Sequence, residues 1–147
     1  MAQQPATPTW AIVARTPDAL MTANLSAAMR TNGLALVEEA MYYRVPRTMK
    51  AGTVDFLRIQ SLYDCNVKGK FRTVTVAGFQ VGRPSQLFNE GEKESRWGLA
   101  PKGTNLEQQW EAVCQNGKGA IPLKSISTDE QVLQGFRLQQ QAAARRH

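Results

Sequence analysis

Apolar and polar residues alternate with a period of two along much of the first half of the chain, which is the spacing of half-buried β-strands. Trp10-Ala11-Ile12-Val13-Ala14 reads as a first strand, closed by Arg15-Thr16-Pro17-Asp18. Residues 19–24 fit a second short strand or the start of a helix continuing through Met29, and local propensity leaves the two open. Asn32-Gly33 is a hairpin signal, because both residues tolerate positive φ and apolar residues flank them. In the following strand, residues 34–45, Val37, Met41, Tyr43 and Val45 share one face, while Glu38, Tyr42 and Arg44 share a more polar one. The expectation is one face on the core and the other in water. Pro46 is expected to stop this strand and residues 47–52 to form a basic turn. Residues 53–64 and 70–81 give two further strands around a turn at residues 66–69. Successive strands joined by short turns predict an antiparallel meander.

The period changes further on. Residues 82–103 are polar and read as a long loop with a short strand around Arg96-Trp97-Gly98-Leu99. Thr104 with Glu107 three residues later forms a capping box, so a helix starts there. Leu106, Trp110, Val113 and Cys114 fall on one helical face, and Asn116-Gly117 ends the helix. Ser127 with Glu130 predicts a second helix reaching Arg145. Its apolar residues Val132, Leu133 and Phe136 occupy the first half only, so the part beyond Leu138 is expected to project or fray. The fold class is α+β: an antiparallel meander of about six strands with a helix packed on it, stapled by one disulfide, plus a C-terminal helix. Residues 1–9 form an extended leader, 10–117 the β domain, 118–126 a connector and 127–147 the terminal helix or tail.

A chain of 147 residues with 42% hydrophobic content supports one core. Its apolar runs are too short for a transmembrane helix. Inventory narrows the chemistry further. The one histidine is His147, at the last position, so histidine-centred triads and multi-histidine metal sites are excluded, and two cysteines are too few for a four-cysteine zinc site. No phosphate-binding loop occurs; Gly117-Lys118-Gly119 lacks the spacing. Glu38 and Glu39 are adjacent on a strand and so point to opposite faces, which prevents them from acting as an acid–base pair on one substrate. These exclusions point to a non-enzymatic binding or structural protein with no cofactor.

Cys65 and Cys114 are either one disulfide or two buried thiols by count. Cys65 closes a β-like run and Cys114 closes a helix-like run, the arrangement a strand-to-helix staple requires; such a bond implies an oxidising compartment. The N-terminal sequence has neither a charged nor an apolar signal region. Ala2-Gln3-Gln4-Pro5 with the following small residues is instead expected to be a mature terminus, left after a native signal peptide is removed and preceded by an added Met1.

Trp10 on the first strand, the meander, Tyr63-Asp64-Cys65 at a strand end, the strand from Phe71 to Phe79, Trp97 ahead of Pro101, and a helix closing on Glu111-Ala112-Val113-Cys114 together resemble the surface-adhesin protein E-like family of bacterial envelope proteins. The resemblance spans residues 10–114. It implies a six-stranded antiparallel sheet backed by helix, a Cys65–Cys114 disulfide, and export to the periplasm or outer cell surface. It implies no ligand-binding residues. Two roles follow: an adhesin-like module that binds a protein or glycan through its exposed sheet face and the loop of residues 82–103, or an accessory subunit of an envelope assembly held through the leader and the C-terminal helix.

Charge adds a candidate surface. Lys and Arg number 18 against 12 Asp and Glu, a net charge of +6. Arg44, Arg47 and Lys50 form one cluster and Lys68, Lys70 and Arg72 another. Together they are the candidate binding patch, suited to anionic glycans or lipid headgroups, and a protein partner from a host or the envelope is also expected. Nucleic acid is not expected, because no aromatic-interleaved recognition motif accompanies the charge. Asp64 is expected to cap its strand. Trp97 and Trp110 are expected in the core rather than on a binding platform.

Overall fold

The computed structural model describes residues 10–91, 96–123 and 128–145. The leader, Ser127 and His147 lie outside the described residues. Nine strands and two helices are present among those described. The strands are β1 (Trp10–Arg15), β2 (Ala19–Asn24), β3 (Met29–Thr31), β4 (Leu34–Met49), β5 (Gly52–Asp64), β6 (Lys70–Phe79), β7 (Phe88–Gly91), β8 (Gly98–Leu99) and β9 (Ile121–Pro122). The helices are α1 (Asn105–Cys114) and α2 (Asp129–Arg145). All pairings are antiparallel, in the order β7-β6-β5-β4-β2-β1-β9, with β3 beside β4 and β8 beside β6. The antiparallel sheet, the two helices and the α+β class are as the sequence predicts.

The segment left open at residues 19–29 is strand. β2 and β3 both pair with β4, so they are two pieces of one broken strand, interrupted at residues 25–28. Asn32 and Gly33 have φ of 51° and 79°, the left-handed pair that a two-residue hairpin turn requires. A methyl on Gly33 would lie 2.1 Å from the Asn66 side chain, so the turn also packs on its neighbour.

Pro46 does not stop β4. The strand runs on to Met49, and the register with β5 jumps between Tyr42 and Arg47. Four residues, 43–46, thus stand opposite Asp55 alone, and a bulge is where a residue without an N–H is tolerated within a sheet. The basic turn therefore shrinks to Lys50 and Ala51. The polar stretch after Gly82 holds a second departure, β7. The ring of Phe88 lies over Gly78, its cross-strand partner, where a methyl would come within 2.2 Å of it. A glycine facing an aromatic is a pairing that polarity along one strand does not reveal. Residues 121 and 122, expected as connector, pair with β1.

The larger correction concerns layers. The face of β4 expected in water is also covered. On one side, Val13, Met21, Ala35, Val37 and Tyr63 pack with Trp110 and Val113 of α1. On the other, Leu20, Ala40, Tyr42 and Phe56 pack with Leu133 and Phe136 of α2. The sheet is the middle of three layers. Polar anchors fix α2: Asp129 Oδ1 lies 2.7 Å from Arg58 Nη2 and accepts from Tyr42 Oη at 2.6 Å. Arg137 donates from Nε to the Tyr43 carbonyl at 3.2 Å and from Nη2 to Asp55 at 2.9 Å. The first half of the expected contact arm thus lies on the chain's own sheet.

Both helices are capped as the sequence suggests, with one shift. Thr104 Oγ1 accepts from the Glu107 N–H. At α2 the box is Thr128 with Gln131, whose N–H and side chain exchange bonds with Thr128 at 3.2 and 2.9 Å, one residue beyond the Ser127–Glu130 pair.

Candidate functional site

Cys65 and Cys114 form a disulfide with Cα atoms 5.2 Å apart. Cys65 follows β5 directly and Cys114 ends α1, so the bond ties the helix to the sheet at one end. Beside it, Trp110 Nε1 donates to the Asp64 carbonyl at 3.1 Å. Asp64 in turn accepts from the Asn66 N–H at 2.9 Å and stands 3.7 Å from Lys70 Nζ, which makes it the cap of this strand end.

The six basic residues of the candidate patch are not one surface. Arg44, Arg47 and Lys50 sit at the β4–β5 end of the sheet, where Arg47 pairs with Val54. Lys70 pairs with Asp64, ten residues along β5, so the clusters are about 33 Å apart at strand spacing. At the first end, the Arg47 guanidinium lies 4.8 Å from the Tyr43 ring, and Arg44 and Lys50 are exposed.

The second end has more structure. Lys70 and Arg72 lie on the α2 side of the sheet, past the point where Arg58 meets the start of α2. Trp97, expected in the core, is 38% exposed and takes both cations: Lys70 Nζ is 5.0 Å and Arg72 Cζ 5.9 Å from its ring centre. Strand β8 sets this geometry, because Gly98 pairs with Phe71 and Leu99 with Lys70, leaving Trp97 at the sheet margin. Among the described residues, Arg72 Nε is buried without a hydrogen-bond partner. Lys68 is exposed in the adjoining turn. Trp110, by contrast, is buried in the core as expected.

Under α1 lies a cavity of about 310 Å³. Glu38 and Glu39 do point to opposite faces: Glu38 is exposed, while Glu39 is buried and borders this cavity. Tyr63 Oη donates to Glu39 Oε2, and Ser61 hydrogen-bonds the same carboxyl. Burial outweighs both bonds and raises the Glu39 pKa to about 7; burial beside Glu39 likewise raises that of Tyr63. The sequence showed a glutamate pair but not that one member ends under a helix. An acidic residue at an otherwise apolar odd position of β4 is the signal that marks it.

A pH effect follows. Folding raises this carboxyl from 4.5 to about 7, so the folded chain holds the extra proton between those values. Its contribution is fullest below about pH 4.5 and is lost as pH rises through about 7; the whole loss is on the order of 3 kcal/mol. Urea unfolding at pH 5 and pH 8 is expected to show wild type losing most of that amount relative to Glu39→Gln, and equal losses in the two proteins would contradict it.

No family model, curated protein or solved structure matches this chain. Among the described residues no helix is long and apolar enough to cross a membrane.

Proposed function

We propose that this chain is an exported, non-enzymatic binding module of a bacterial envelope, related to the surface-adhesin protein E-like proteins. It meets an acidic protein partner through the end of the sheet that carries Lys70, Arg72 and Trp97. The carrying observation is that exposed tryptophan with two cations against its ring. Aromatic side chains and arginine are the residue types that dominate binding energy at interfaces. Support for export comes from the Cys65–Cys114 disulfide, a bond that persists in oxidising compartments.

Heparin serves as a polyanion probe of this surface. Lys70→Gln with Arg72→Gln is expected to lower the salt concentration that elutes the protein from a heparin column, and Trp97→Ala to lower it further. The matched pair Arg44→Gln with Arg47→Gln removes the same charge from the other end and is expected to have the smaller effect. Equal effects of the two pairs would mean that net charge alone governs retention, and the reading would fail.

A further inference from the structure

The cavity under α1 combines features that the proposed surface does not use. Its wall is largely apolar, formed by Met21, Met41, Ile59, Phe71 and Leu106, and its volume is near the lower end of the range for small-molecule sites. Among the described residues Glu39 is the one charged side chain bordering it, and Tyr63, which donates to that carboxyl, is the other titratable group. From α1 the cavity receives Asn105, Leu106 and Gln109, none of them charged. Leu106 is 39% exposed, so it stands between the cavity and solvent.

An isolated carboxylate in an apolar space is costly to ionise unless a cation meets it. A small hydrophobic ammonium meets both requirements, since its charge pairs with the carboxylate and its body covers the apolar wall. We propose that this cavity is a binding site for a small hydrophobic amine, with the ammonium at Glu39 and the apolar body among Met41, Ile59, Phe71 and Leu106. Anionic ligands are disfavoured there, because among the described residues no cationic side chain borders the cavity. Tyr63 and Ser61 hold the carboxyl in place and act as positioning residues.

Ionisation is coupled to binding. With the free carboxyl titrating at about 7, an amine entering below that pH must displace a proton from Glu39. Affinity for the amine therefore rises with pH up to about 7 and then levels, until the amine itself deprotonates.

The test is an NMR titration of the full chain with 2-phenylethylamine, beside its uncharged counterpart 2-phenylethanol. The amine is expected to shift amide signals of Met41, Tyr63, Phe71 and Gln109 saturably at pH 7.5 and more weakly at pH 5.5. Glu39→Gln is expected to weaken amine binding by about ten- to a hundredfold, the loss of one charge-assisted bond, while leaving the weak binding of the alcohol unchanged. Leu106→Trp fills the entrance from a half-exposed position and is expected to abolish binding of both compounds without lowering Tm, so the proposal stays testable if Glu39→Gln does not fold. Equal affinity for the amine and the alcohol, insensitivity to both substitutions, or shifts confined to residues away from α1 would overturn it.

Discussion

Replacing Cys65 and Cys114 together by alanine is expected to lower unfolding free energy by about 4 kcal/mol, the loop-closure value for a cross-link of this span. The two residues are 49 apart in sequence, and the bond is the covalent tie between α1 and the strands under it. At the entropy density usual for unfolding, that loss lowers Tm by about 13 °C for a chain of this length. Alanine is the better replacement, because both cysteines pack against the apolar cluster around Trp110 and Val113 and a serine would bury an extra hydroxyl. Calorimetry of the double variant beside reduced wild type checks the assignment. Both are expected to fall by similar amounts, whereas an unchanged double variant would show that noncovalent packing alone holds α1.

Phe136→Ala is expected to cost about 3–5 kcal/mol, the range for emptying a buried phenylalanine site. Phe136 is 3% exposed and sits with Leu133 on Leu20, Ala40, Tyr42 and Phe56. Beneath it the Tyr42, Phe56 and Phe79 rings stack at 5.6 and 5.1 Å, so loosening α2 would expose aromatic surface. The expected signature is a lowered urea midpoint together with binding of an apolar dye, while the disulfide-tied α1 side keeps its hydrogen-exchange protection. A loss under about 1 kcal/mol would be ordinary for a surface site and would mean that α2 is not an integral layer of the fold.

That third layer is also where sequence reasoning stopped short. Alternation along β4 located the buried Val37 correctly, and the capping signals placed both helices to within a residue or two. Alternation could not show that the opposite face, with Ala40 and Tyr42, is buried too. Val132, Leu133 and Phe136 promised a helix with one apolar face, but nothing local says which surface it covers. The anchors Asp55 and Asp129 find Arg137 and Arg58 across 82 and 71 residues, a separation that no local pattern encodes. The candidate site divides in the same way. Lys70 and Arg72 are legible from strand spacing, whereas the exposure of Trp97 is not, because it depends on the short β8 pairing at the sheet margin. Clustering along the chain also joined Arg44 and Arg47 to the same patch, although a hairpin meander sends successive turns to opposite ends of the sheet. Glu39 was visible as an acidic residue on an apolar face, but its role depends on where α1 lies.

The proposed export requires Cys65 and Cys114 to be bonded in living cells, and their oxidation state there is its most direct test. Cells expressing the chain from its own gene are treated with a membrane-permeant alkylating agent before lysis, and the intact mass is read with and without prior reduction. No label is expected on either cysteine until reductant is added. Two alkylated cysteines in untreated cells would contradict it.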